Sequence, residues 1–223
     1  MLDRVAIISD VHGNVTALQA VLADIQARGI TRIVNLGDVI GKGPRGSEAV
    51  RLVRAACEAT VRGNWDTSIA RQASHDSPSG QWTRDELSAG DLAWLAALPG
   101  TFTGAFRAGH ATPFRAGHAP GPGATPDVVG YGDIHTAYLK ASRGLTLFNV
   151  GSTGNHLDAP SAPYVIIEGV ANSPDPASFS VSFARVTYDI QAEISVAREL
   201  GMPDADAYAR ELLDGIYRGQ KAD

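Results

Sequence analysis

Val5-Ala6-Ile7-Ile8 is an unbroken apolar run rich in β-branched side chains, followed at once by the polar turn Ser9-Asp10-Val11-His12-Gly13-Asn14. This pattern predicts a strand covered on both faces. Leu18, Val21, Leu22 and Ile25 then recur at three- and four-residue spacing, which predicts a helix capped by Asn14, running to about Arg28 and stopped by Gly29. Arg32 to Leu36 predicts a second short strand leading straight into Gly37-Asp38. Strand, helix, strand in this order means a right-handed parallel crossover. Asp10 and Asp38 thereby end neighbouring strands on one sheet edge, about 4.8 Å apart, where open α/β sheets place their ligands.

The alternation continues through a helix from about Ser47 to Cys57, a third strand at Ala59-Thr60-Val61, and the polar Arg62-Gly63-Asn64-Trp65-Asp66. Residues 67–89 are polar and Ser-rich and read as a helix fragment plus loop, and Ala89 to Leu98 as a short helix. After residue 100 the period changes. Phe102 to His110 predicts a strand, and the Gly- and Pro-rich stretch to Pro126, including the near-repeat Phe114-Arg-Ala-Gly-His-Ala, predicts loop. Asp127 to Tyr131 and Leu145 to Val150 are short strands that lead into Gly132-Asp133-Ile134-His135 and Gly151-Ser152-Thr153-Gly154. Pro163 to Glu168 and Phe179 to Tyr188 alternate as an antiparallel pair around Ser173-Pro174-Asp175-Pro176. Ala192 to Leu200 and Asp204 to Tyr217 are amphipathic helices. The fold class is α/β (α+β): two packed sheets with helices outside, a single domain over 1–223 with 190–223 as a C-terminal helical appendage.

Composition narrows the function. The chain has 223 residues, 44% hydrophobic, enough for one sizeable core. A formal net charge of −5 argues against non-specific nucleic-acid or membrane binding. No apolar run approaches the roughly 20 residues of a membrane span. The chain opens on a strand, with no basic and apolar leader, and its single cysteine, Cys57, excludes an internal disulfide. The cytoplasm is the expected location, and the acidic surface and terminal helices permit a homodimer.

Gly41-Lys42-Gly43-Pro44-Arg45-Gly46 spells G-x-G-x-x-G, but it follows the second strand at a distance, with no acidic residue about 20 positions on to hold a ribose. A tight loop that keeps Asp38 exposed is the simpler reading, with Lys42 and Arg45 available to an anionic substrate. His75 and Asp76 fall in a polar stretch and read as solvated. His156 and Asp158 follow the Gly151 turn and could face substrate or back the site. Ser152 lacks a base pair and suits a supporting loop.

The polar residues at predicted strand ends are Asp10 and His12, Asp38, Asn64, His110 or His118, then Asp133 and His135. Such oxygen and imidazole donors suit Mn²⁺, Fe, Zn²⁺, Ni²⁺ or Mg²⁺, and a shared carboxylate suits a pair of ions about 3.5–4 Å apart. The order of motifs closely resembles the calcineurin-like metallophosphoesterases, in particular their small bacterial and archaeal branch. Ser9-Asp10-Val11-His12-Gly13-Asn14, Leu36-Gly37-Asp38 with Gly41-Lys42-Gly43-Pro44, and Arg62-Gly63-Asn64-Trp65-Asp66 are similar to the family's first three motifs. Gly132-Asp133-Ile134-His135 is similar to its Gly-His-x-His, and His110-Ala111-Thr112-Pro113 to its His-Gly-Ser/Thr-Pro, which favours His110 over His118. Asn149-Val150-Gly151-Ser152 and Val186-Thr187-Tyr188-Asp189 resemble the branch's C-terminal half.

The resemblance implies a four-layer β-sandwich with a dinuclear site. Asp10, His12 and His135 would bind one ion, Asp38 would bridge, and Asn64, His110 and Asp133 would bind the other, with Mn²⁺ favoured. Catalysis would fall to Asp10, Asp38 and Asn64, and substrate contacts to Asn64, Trp65 and Arg107. Asp133 and Trp65 depart from the family pattern. Asp133 stands where the family has histidine, so it either ligates as a carboxylate or points away. Trp65 stands where many members carry a proton-donating histidine, and indole has no such proton. Loss of a general acid costs on the order of 10²–10⁴-fold and penalises poor leaving groups most. The expected activity is hydrolysis of small phosphodiesters, nucleotides among them, by in-line attack of a metal-bound hydroxide. A phosphomonoesterase with the same site, and a catalytically impaired relative that binds phosphate or nucleotide, are the alternatives.

Overall fold

In the computed structural model, β1 (Asp3–Ile8) lies at the centre of a five-stranded sheet and is buried from Val5 onward. The described residues are 2–71, 75–107, 111–115, 128–142, 144–170 and 177–218. The crossover runs through α1 (Val15–Ala27), whose N-cap Asn14 accepts from the Ala17 N–H, to the parallel strand β2 (Arg32–Asn35). A second crossover through α2 (Gly46–Ala56) reaches the edge strand β3 (Ala59–Thr60).

The polar stretch after it is more ordered than its composition suggests. α3 (Asn64–Arg71) begins inside the third motif, and α4 (Pro78–Glu86) stands where mostly loop was expected. Ser77 caps α4 with Pro78 in its first turn, a start signal that polar composition obscured. A Ser88–Asp91 capping box starts α5 (Ala89–Ala97).

β4 (Thr101–Arg107) pairs with β5 (Ala111–Arg115), with Phe102 opposite Phe114, so part of the expected loop is a strand. The turn at 173–176 lies outside the described residues. β6 (Val128–Tyr131), β7 (Tyr138–Ser142) and β8 (Leu145–Asn149) form a second sheet in the order β6-β8-β7, and β7 had no sequence expectation. β9 (Ala162–Gly169) and β10 (Phe179–Val186) then pair antiparallel and complete the first sheet, β10-β9-β1-β2-β3. α6 (Ile190–Glu199) and α7 (Ala205–Asp214) close the chain; α7 ends at Gly215, in a left-handed turn, not at Tyr217.

Alternation along β1 builds two cores. Val5 and Ile7 meet Val34, Val128, Phe148 and Val165 between the sheets. Ala6 and Ile8 meet Leu18, Val21, Val50 and Leu95 under the helices. A β1 buried on both faces is why its sequence is apolar without interruption. No helix among the described residues is long and apolar enough to cross a membrane.

Candidate metal centre

The parallel pairing of β1 and β2 continues past both strand ends into their loops. The Asp10 N–H donates to the Gly37 carbonyl at 2.9 Å, the His12 N–H to that of Asp38 at 2.9 Å, and the Gly13 N–H to that of Val39 at 3.0 Å. The two loops therefore run side by side along the sheet edge. Gly43 packs so close that a β-carbon there would lie 2.4 Å from the His12 carbonyl oxygen. Asp10, His12, Asp38, Lys42, Asp133 and His135 all have positive φ, between 49° and 78°. Such backbone strain in non-glycine residues gathers at functional sites.

Asp10, His12 and His135 bring one donor atom each within 4.8 Å of one another, and all three are buried. His12 Nδ1 lies 3.1 Å from the Ile40 carbonyl and His135 Nδ1 lies 2.6 Å from the Asn155 carbonyl. A carbonyl only accepts, so each Nδ1 carries the hydrogen and each Nε2 presents a lone pair. Those Nε2 atoms face each other at 3.1 Å, with Asp10 Oδ1 3.7 Å from one and 3.3 Å from the other. Burial above all holds the His12 imidazole well below its usual pKa, so it stays neutral. Converging lone pairs and a carboxylate repel one another unless a cation sits among them, so this donor set fits a divalent metal.

Asp10 is held in place by its neighbours. Its Oδ2 accepts from Ser9 Oγ at 2.5 Å, and both its oxygens lie 3.1 Å from the Asp133 N–H. Ser152 Oγ donates to the Asp10 carbonyl at 2.8 Å, as does the Gly154 N–H at 3.0 Å, which gives that loop its supporting role.

Asp38 is buried, at 3% exposure, and not left exposed by its loop. Its Oδ1 accepts from the Trp65 N–H at 2.8 Å. Burial, and then the charges of Asp10, Asp66 and Asp133, push its carboxyl well above the usual range. A cation beside Asp38 would relieve this. Asp66 fixes the loop that carries it, accepting from the N–H groups of Asp38 (2.9 Å), Val39 (3.0 Å) and Gly63 (2.9 Å). Asp66 is fully buried, and burial pushes it up to about 6 against those N–H bonds.

Asp38, Asn64, Trp65, Asp133 and His135 line one cleft of about 270 Å³, together with Lys42. Asn64 Nδ2 donates to Asp133 Oδ1 at 2.5 Å, so these two side chains meet at the mouth, while the Asp133 backbone N–H serves Asp10. His110 and His118 lie outside the described residues, as do the side chains of Arg107 and Arg115.

Other sequence candidates settle elsewhere. Arg45 turns away from the cleft to Glu193 and Thr16. His75 is not solvated: it is half-buried, stacks on Trp65 at 5.8 Å between ring centroids, and has its Nε2 2.8 Å from Ser68 Oγ. His156 is buried against the Tyr188 hydroxyl, 3.0 Å away, and Asp158 pairs with Arg185. Sequence reasoning gave no role to Asp66, Asn155, Glu211 or Tyr217. Only Asp66 carried a local signal, an acid three residues after the turn glycine at a helix start.

Residues 4–171 match the calcineurin-like phosphoesterase superfamily domain. A protein of Methanocaldococcus jannaschii, itself uncharacterized, is 29% identical over 218 residues, covering 84% of this chain and 88% of its own length. The crystal structure of a metallophosphoesterase from Sphaerobacter thermophilus is 28% identical, with a TM-score of 0.78 over 97% of this chain and 100% of that one. A hypothetical protein from Pyrococcus horikoshii, 18% identical, shares the fold with a TM-score of 0.69 over 98% and 99% of the two chains.

Proposed function

The chain belongs to the calcineurin-like phosphoesterase superfamily, and on that premise we propose that it hydrolyses phosphodiesters of small molecules, nucleotides among them, with two divalent ions, Mn²⁺ favoured. The observation that carries this reading is the convergence of His12 Nε2, His135 Nε2 and Asp10 Oδ1 beside the buried Asp38. Asp10, His12 and His135 would hold the first ion. Asp38 would bridge to the second ion, and Asn64 and Asp133, which line the same cleft, would help to hold that one. Divalent ions bound there supply Lewis-acid polarisation of phosphoryl oxygens and an acidified water. The chain itself contributes position. Asp66 and the Trp65 N–H hold Asp38, the Asp133 N–H and Ser9 hold Asp10, and two carbonyls hold the imidazoles.

The preference for diesters rests on Trp65. Its ring packs on His75 and meets the edge of His12 at 6.0 Å between centroids, so it walls the cleft and offers no proton. Leaving groups that depart without protonation are then favoured.

Hydrolysis of bis(p-nitrophenyl) phosphate against p-nitrophenyl phosphate with Mn²⁺ tests the proposal. Faster turnover of the diester, abolished by Asp38→Asn, is expected. Faster turnover of the monoester selects a phosphomonoesterase. No turnover with any divalent ion overturns the enzyme and leaves a phosphate-binding relative.

A further inference from the structure

Lys42 is a buried cation with too few partners. It is 5% exposed, yet it lines the cleft beside Asp38 and Asp133. An ammonium has three hydrogens to donate. Among the described residues Lys42 forms no ion pair, and its one hydrogen-bond acceptor is Asn155 Oδ1 at 3.1 Å. Its Nζ also lies 4.8 Å from the centre of the Tyr217 ring. Burying a charge without a counterion is costly. The carboxylate that acts on it most strongly is Glu211, which Arg218 already engages, and ions held by Asp10 and Asp38 would cancel the weaker pull of those two.

Asn155 lies within the residues matched to the family domain, which end at 171, but the groups behind it and beside Lys42, Glu211 and Tyr217, come from beyond them. Glu211 on α7 is fully buried, accepts from Asn155 Nδ2 at 3.0 Å, and is bound by Arg218 through its backbone N–H and guanidinium. That carboxylate turns the Asn155 amide so that its oxygen faces Lys42. After α7, the left-handed turn at Gly215 carries Tyr217 back to the cleft, where it lines the wall and remains 42% exposed.

We propose that Lys42, set by Asn155 and Tyr217, forms a second anion subsite beside the metal centre, and that the substrate carries a further phosphate or comparable anionic group beyond the one being hydrolysed. The inference rests on the phosphoesterase reading only for where the first phosphate sits. The C-terminal segment is then a wall of the active cleft.

Direct binding of AMP and ADP to the Mn²⁺-loaded full chain, at fixed free Mn²⁺, reads the subsite without requiring turnover. A phosphate on an ammonium is a charge-assisted contact, so ADP is expected to bind roughly 10- to 100-fold more tightly than AMP. Lys42→Met is expected to bring that ratio near one. Tyr217→Leu, at an exposed residue, is expected to lower it severalfold. Equal affinities in the native chain, or a ratio that neither variant moves, overturn the subsite. Turnover of simple diesters with equal affinities sinks the subsite alone. A preserved ratio without turnover sinks the enzyme alone, and failure to bind either nucleotide sinks both.

Discussion

His12 and His135 face each other through their Nε2 atoms at 3.1 Å, each ring fixed by a carbonyl on its far nitrogen. With each far nitrogen donating to a carbonyl, the two neutral rings turn bare Nε2 atoms toward one point, an arrangement that suits a shared cation.

Metal should therefore stabilise the fold. Mn²⁺ at a hundredfold excess over its dissociation constant is expected to add about 2.7 kcal/mol. For a chain of this size that raises Tm by roughly 5–10 °C. His135→Ala should lose most of the rise. Thermal melts with and without Mn²⁺ read this directly, and a full rise in the variant would place the ion elsewhere.

Asp66 touches no substrate, yet three N–H groups converge on it, those of Asp38, Val39 and Gly63. Asp66→Asn places an amide NH₂ among donors. It is expected to cost about 1–3 kcal/mol in stability and to lower kcat on the order of 10²-fold by displacing Asp38. A variant with native kcat would refute that positioning role.

Gly63 is required by close approach. A β-carbon there would stand 2.0 Å from Asp38 Oδ1. Gly63→Ala must push the Asp38 carboxylate or its loop aside, so turnover is expected to fall by about 10²-fold or more. Assays of diester hydrolysis alongside metal titration will separate lost chemistry from lost ion binding.

Glu86 gives the protein a pH signature remote from the site. Its Oε1 accepts from the Gly46 N–H at 2.5 Å, at the start of α2. Burial pushes its carboxyl from the usual 4.5 up to about 7, against the pull of the Gly46 and Ser47 N–H groups. Between those values the folded chain holds a proton that the unfolded chain releases. Glu86 therefore subtracts stability as pH rises from about 4.5 to 7, by about 2–3 kcal/mol. Glu86→Gln keeps the acceptor and removes the titration. Denaturant melts from pH 5 to 8 should show a less negative slope in the variant, and an identical slope would refute the assignment.

The legible part of the fold is the part written locally. Val5 to Ile8, the Asn14 cap and the spacing of Leu18, Val21 and Ile25 each state their own structure, so β1, α1 and β2 were foreseen. Asp10, His12 and Asp38 follow strand ends, and their neighbourhood follows from parallel pairing. Pro78 and the Ser-rich stretch around it masked α4, because the residues that start a helix are also those of loops. Nothing local marks Asn155 and Glu211, which are 56 positions apart and meet only through the fold. Asp66 was visible as a residue but not as a partner, because its value lies in three backbone groups that no sequence pattern displays.

The left-handed backbone at Asp10, His12, Asp38, Lys42, Asp133 and His135 has a consequence for folding. Strain of order 1 kcal/mol at each such residue makes a total comparable to the net stability of many domains. The sheet and helices bear this load, and it is concentrated where the ion belongs. Amide hydrogens of the β1–α1 and β2–α2 loops should then gain protection when metal is added, while those of the central strands change little. Loading the ion would be the last act of folding, and its loss the first step of unravelling.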